Sequence, residues 1–176
     1  MSATAAASDG AVKRRFLLLA LAILALDQWT KWLVESHLPT PSSREIIPGF
    51  FHLSHVKNTG VAFGMLADLG EEGAAWLLAL LGLAAIGVVA IYFRRTPARE
   101  TALLTALALV LGGAVGNLLD RVTSGAVTDF LGVYIGSYRW PDFNVADSAI
   151  SIGLVLLLLD SFRTRPPAAA PVGDRP

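Results

Sequence analysis

The sequence predicts a membrane all-α fold with a small extracytoplasmic β element: four transmembrane helices, with both termini in the cytoplasm. Three observations predict it. Of 176 residues, 54% are hydrophobic and only 16% charged, against roughly 25% charged in soluble chains, and the mean hydropathy is +0.58. Four apolar stretches of helix length alternate with polar connections. Lys and Arg are shared unevenly between those connections. The same composition excludes several functions. Fourteen Lys and Arg balance fourteen Asp and Glu, so no net basic field points to nucleic acid. The absence of Cys rules out a disulfide framework, a thiol nucleophile and cysteine-ligated zinc.

One domain fits this length, with boundaries expected at a disordered tail over residues 1–12, a membrane domain over 13–163 and a second disordered, Pro-rich tail over 164–176. Lys13, Arg14 and Arg15 precede FLLLALAILAL, which alone has the form of a secretory signal. No small-x-small cleavage site follows, so Phe16 to about Leu38 is read as the first span, long enough for roughly 30 Å of hydrocarbon. From Pro39 to Gly73, Pro, Ser and Gly interrupt short aromatic and β-branched pieces (REIIPGFFHLSHV), which suit a small sheet-like element. The glycines at 49, 60, 64 and 70 give this loop freedom to move. Ala74 to Phe93 is the second span and Thr101 to Leu119 the third. Residues 120–145 form a second loop, alternating through Val127, Asp129, Leu131, Val133 and Ile135. Ala146 to Phe162 is a fourth, shorter helix.

Charge orients these spans. Lys13, Arg14, Arg15, Arg94, Arg95, Arg99, Arg163, Arg165 and Arg175 fall in the N-terminal segment, the middle connection and the C-terminal tail; Arg44, Lys57, Arg121 and Arg139 fall in the other two loops. The positive-inside rule places the first group in the cytoplasm. The loops 39–73 and 120–145 then lie outside, with Trp29, Trp32, Trp76 and Trp140 suited to an aromatic belt.

Chemistry-bearing residues gather between Gly112 and Ser148: Asp120, Asp129, Asp142 and Asp147, with Asn117, Arg121 and Asn144 among them. Carboxylates beside a hydrocarbon layer are costly and suggest function. Asp129 and Asp147 stand out as a candidate pair. Two carboxylates at short range share one proton, because like charges so close cannot both ionise cheaply. The ionised member takes a proton from water while the protonated one donates to a peptide carbonyl. Such a site needs no metal, cofactor or covalent intermediate. A second reading stays open for each residue. Asn144 and Asp147 also suit a plain helix start, and Asp129 an ordinary loop position.

Asn117, Asp120 and Arg121 share a helix face at i, i+3 and i+4, either as a helix-end ion pair or aimed at a substrate. Asp27 and Lys31, four apart, admit the same two readings, a salt bridge foremost. Gly112 and Gly116 are spaced for close helix approach. Asn58, Thr59 and Gly60 read first as a turn, second as a binding loop. His52-x-x-His55 has no further ligands at metal-site spacing. No G-x-S-x-G, P-loop or G-x-G-x-x-G is present. Two rival functions remain: a small transporter relaying protons through Asp27, Asp120 or Asp147, and a non-catalytic scaffold.

Five stretches taken together resemble one family. LDQWTK (26–31), NTGVAFG (58–64), GGAVGNLLDR (112–121), TDF (128–130) and FNVADS (143–148) are similar, in order, to the motifs of lipoprotein signal peptidase, a four-helix intramembrane aspartyl peptidase family. The resemblance covers residues 13–163. It implies a multi-pass enzyme of the bacterial inner membrane with its site near the outer face. Such an enzyme removes the signal peptide from prolipoproteins, cutting before a Cys that carries diacylglycerol. Carried over by motif, Asp129 and Asp147 are the catalytic pair. Asn58, Asn117, Arg121 and Asn144 hold the substrate or the site geometry, and Asp27, Lys31 and Asp120 support the fold or the site. The implied partners are the lipidated substrate, membrane lipids and globomycin-type inhibitors. Val61 and Gly64 depart from the commoner Ala and Ser, and Thr128 from the commoner Val.

Overall fold

The computed structural model describes residues 3–60 and 70–162. Helix α1 runs Ala3–His37, beginning inside the stretch expected to be a disordered tail. Ala3, Ala5, Ala6 and Ala7 have the highest helix propensity of any residue, so the apolar span extends backward without a break. The tail from 164 and the motif residues 61–64 lie outside the described residues. Helix α2 spans Gly70–Arg95 and α3 spans Thr101–Ser124. α3 is longer than the apolar pattern suggested. It passes Leu119 and ends at Gly125, whose φ of 73° caps the helix by donating N–H to Arg121 O, a left-handed conformation that glycine adopts without a Cβ clash. Asp120 and Arg121, at the start of the stretch read as a loop, therefore sit within the helix with Asn117, as their i, i+3, i+4 spacing suggested. Helix α4 spans Val145–Ser161.

Among the described residues, three helices are long and apolar enough to cross a membrane: Asp9–His37, Gly70–Arg95 and Thr101–Ser124. The 17 residues of α4 reach about 25 Å at 1.5 Å per residue, the lower end of the length that crosses a bilayer. α3 packs against all three other helices. Leu80, Leu81, Leu83, Val88 and Ile91 of α2, and Leu17, Leu18 and Leu21 of α1, are exposed. Apolar side chains facing outward along whole helices suit lipid.

The bundle has two unlike ends. At one, Ala20, Phe93, Leu104, Leu107 and Ala108 form a dry core. At the other, Asp27, Lys31, Asn117, Asp120 and Asn144 are buried together. Glycines bring the helices close at the polar end. A Cβ on Gly113 would collide with Ala146 O, and one on Gly116 would lie 2.5 Å from Asp27 Oδ2. Gly113→Ala is expected to push α4 off α3, costing about 1–3 kcal/mol; thermal unfolding in detergent would register it, and an unchanged midpoint would contradict this packing.

The two loops meet in one antiparallel sheet. β1 (Ser42–Ile47), β2 (Phe51–Asn58), β3 (Val127–Ile135) and β4 (Tyr138–Phe143) lie in that order. The β2–β3 register sets Lys57 opposite Thr128, and Asn58 opposite Val127. Because side chains alternate along a strand, Asn58 and Asp129 share one face, Lys57 and Thr128 the other.

Candidate active site

The site is built where the sheet meets the polar end of the bundle. Asn144 caps α4: its Oδ1 accepts the Asp147 N–H at 2.9 Å, and its own N–H donates to Asp147 Oδ2 at 3.3 Å. The plain helix-start reading is thus correct as far as it goes. The same Asn144 also donates from Nδ2 to Asp129 Oδ1 at 2.8 Å. Asn144 therefore reaches both carboxylates, Asp129 on β3 through its side-chain amide and Asp147 on α4 through its backbone N–H. Asn58 Nδ2 donates to Asp129 Oδ2 at 2.9 Å, and Asn117 Nδ2 to Asp147 Oδ1 at 2.7 Å. Asn58 is a turn residue as well, its Oδ1 accepting the Gly60 N–H at 2.9 Å.

Asp129 is 2% exposed. Burial pushes its carboxyl up from 3.8 to about 6; the donors on Asn58 and Asn144 pull it down, and the negative charge of Asp147 pushes it up again. Raised titration has a consequence for stability. The folded chain binds this proton more tightly than the unfolded one, so its stabilising effect is full below pH 3.8 and lost as pH rises through about 6. The gap corresponds to roughly 3 kcal/mol. Asp129→Asn lacks this proton. Its stability relative to wild type is expected to improve by that order between pH 4 and 7, read as thermal midpoints across pH. A parallel pair of pH profiles would refute the burial argument.

Behind the pair lies a charged network. Lys31 Nζ bridges Asp27 Oδ2 at 2.8 Å and Asp120 Oδ2 at 2.7 Å, and it donates to Asn117 Oδ1 at 3.1 Å. Asp27 Oδ1 accepts the Ala146 N–H at 2.9 Å, one of the first-turn donors that α4 leaves unpaired. Asp27 and Lys31 do form the salt bridge their spacing suggested, but it is shared with Asp120. Gln28, passed over in the sequence, donates to Asp120 Oδ1 at 2.8 Å; its place in LDQWTK beside Asp27 was the available signal.

Arg121 is within electrostatic reach of Asp147, Asp129 and Asp120. Its Nη1 donates to Asn117 O at 3.2 Å, while its buried Nε has no hydrogen-bond partner among the described residues. An unpaired buried donor is costly and is satisfied when an acceptor arrives. Arg121 lines a cleft of about 350 Å³ with Thr59, Trp76 and Ala126. The fourth aspartate of the region, Asp142, stands apart with Arg139 at 2.7 Å and Ser54 at 3.2 Å. His52 stacks on Tyr134 near Glu45, and His55 binds Leu38 O, so the two histidines serve different contacts. Chemically, the arrangement offers two fixed carboxyls, that of Asp129 raised to about 6, with Arg121, which lines the cleft, within electrostatic reach of both.

Comparison with known proteins bears directly on this constellation. The family described as Signal peptidase (SPase) II matches residues 19–163. The chain is 45% identical over 147 residues to the lipoprotein signal peptidase of Solibacter usitatus (strain Ellin6076), covering 84% of this chain and 90% of that protein. It is 46% identical over 143 residues to that of Symbiobacterium thermophilum, covering 81% and 91%. A solved structure described as a bacterial membrane enzyme, obtained by the in meso method, matches with a TM-score of 0.75 at 28% identity, covering 86% of this chain and 94% of that one.

Proposed function

The chain belongs to the signal peptidase II family, a family of membrane-embedded proteases that process lipoproteins, and from that premise we propose how it works. It is an aspartyl endopeptidase that removes the signal peptide from diacylglyceryl-modified prolipoproteins, cutting before the lipidated Cys. The observation that carries this reading is the convergence of the Asp129 and Asp147 carboxylates on Asn144, one on its side-chain amide and the other on its backbone N–H. Asp129, the more deeply buried partner, holds the shared proton, and Asp147 is the base that deprotonates water. As water adds to the scissile carbonyl, Asp129 donates its proton to the developing oxyanion. Collapse of the diol breaks the C–N bond: the proton taken by Asp147 goes to the leaving amine, and one diol hydroxyl returns its proton to Asp129 as the C=O of the product acid forms.

The remaining residues have supporting parts. Asn58, Asn117 and Asn144 orient the carboxyls. Arg121 offers its unpaired Nε to the substrate backbone. Asp27, Lys31 and Asp120 hold the head of α4 in place. No cofactor enters the mechanism.

The proposed topology has four spans within one membrane domain over residues 13–163, short tails on either side, and both termini in the cytoplasm. Lys13 donating to Arg94 O at 2.8 Å supports it, since two basic segments then share one end of the bundle. The site lies near the outer face of the bacterial inner membrane, within reach of lipid. Globomycin-type inhibitors compete for the same cleft. The test is cleavage by the purified enzyme of a prolipoprotein with and without diacylglycerol on its Cys. Cutting before the lipidated Cys, blocked by globomycin, supports the reading; equal cutting of both forms, or a cut elsewhere, sinks it.

A further inference from the structure

Thr128, the residue before Asp129, is gripped by three helices at once. Its N–H donates to Asp120 Oδ2 of α3 at 3.3 Å, and its carbonyl accepts from Asn144 Nδ2 at the head of α4 at 3.3 Å. Its hydroxyl donates to Glu35 Oε1 of α1 at 2.5 Å and accepts from Lys57 Nζ of β2 at 2.8 Å. Lys57 closes the ring with an ion pair to the same Glu35 oxygen. Thr128 is 1% exposed, so both capacities of its hydroxyl are used where water is scarce. Val, the commoner residue at this position in the family the chain resembles, would fill nearly the same volume, so packing alone does not call for the hydroxyl and its contacts are a feature of this chain.

The ring acts from behind. Strand alternation turns Thr128 and Lys57 away from the face that carries Asn58 and Asp129. α1 meets the site in two places. Asp27 holds the N–H of Ala146, next to Asp147; Glu35 holds the hydroxyl of Thr128, next to Asp129. Those two contacts lie eight residues apart, about 12 Å along the helix. One rigid element is thus the common reference for both carboxyls.

We propose that Glu35, Lys57 and the Thr128 hydroxyl are positioning residues, a ring behind the sheet that sets where the Asp129 carboxyl stands relative to Asp147. This rests on the reading of Asp129 and Asp147 as the reacting pair. The ring touches no substrate, and its effect is on turnover through geometry, where a displacement on the order of 1 Å costs up to about 100-fold.

The experiment measures kcat and KM on a diacylglyceryl prolipoprotein for Thr128→Val, Thr128→Ser, Lys57→Met and Asp129→Asn, each with a thermal-unfolding control. Thr128→Val and Lys57→Met are expected to lower kcat roughly 10- to 100-fold with KM changed less than about twofold. Thr128→Ser, which keeps the hydroxyl, stays within about twofold of wild type. A folded Thr128→Val with wild-type kcat overturns the proposal, as does a Ser variant no better than Val. Lys57, a third exposed, tolerates replacement without a buried void, so it decides the matter should Thr128→Val not fold. If Asp129→Asn is dead while the ring variants turn over normally, the ring alone is wrong; if Asp129→Asn still cuts, the pair itself is wrong and the ring has nothing to position.

Discussion

Asp129→Asn and Asp147→Asn should each reduce cleavage of a diacylglyceryl prolipoprotein by at least about 10³-fold while the protein stays folded. Each substitution is nearly isosteric. Removing Asp147 takes away the base, and general-base assistance is worth on the order of 10²–10⁴ in rate. Removing Asp129 takes away the proton that meets the oxyanion. Neither loss is expected to unfold the chain, because Asn117 and Asn144 still pair position 147, and Asn58 and Asn144 still surround position 129. Asp142→Asn is the internal control. Its carboxyl pairs with Arg139 on the sheet, so cleavage should stay near wild type. Turnover of Asp147→Asn within tenfold of wild type would remove the base from the mechanism.

Lys31→Met carries the largest expected cost in stability. One ammonium, 4% exposed, bridges Asp27 and Asp120, which are 0% and 9% exposed. Its loss leaves two buried carboxylates facing each other without a cation. Breaking a buried pair in this way costs roughly 3–5 kcal/mol, enough to prevent recovery of folded protein from detergent. The same logic predicts a rescue. Adding Asp27→Asn and Asp120→Asn to Lys31→Met removes both stranded charges while keeping an acceptor for the Ala146 N–H, so folded protein should return. Failure of the triple variant to recover any thermal stability would mean that Lys31 acts by packing, not charge.

How much of this was readable without coordinates differs from element to element. Asp27 and Lys31 were legible because i and i+4 are neighbours on any helix. Gly112 and Gly116 were legible for a similar reason, and so was the cap formed by Asn144 and Asp147. The end of α3 was not. Hydropathy falls after Leu119, yet the helix runs to Ser124, because Asp120 turns inward to Lys31 and Gln28 and Gly125 closes the last turn. The fourth helix was legible to within one residue at each end, Val145–Ser161 where the apolar run gave 146–162. The sheet was visible only as two separate extended stretches. Its β2–β3 register joins residues 71 positions apart, such as Lys57 and Thr128, and nothing local encodes that pairing. The site inherits this limit. The motifs named the residues, but only folding reveals that Asn144 reaches both carboxyls, or that Asp142 faces elsewhere.

The most direct test of the central claim, that Asp129 and Asp147 act as one proton-sharing pair, is an infrared titration of the Asp129 carboxyl. Spectra of Asp129→Asn subtracted from wild type isolate its protonated C=O band. The account predicts that this band disappears with a midpoint near 6. It also predicts a lower midpoint in Asp147→Asn, still above the ordinary 3.8 because burial remains the larger cause. A midpoint unmoved by the loss of Asp147, or a band absent throughout the range between pH 4 and 6, would contradict the pair.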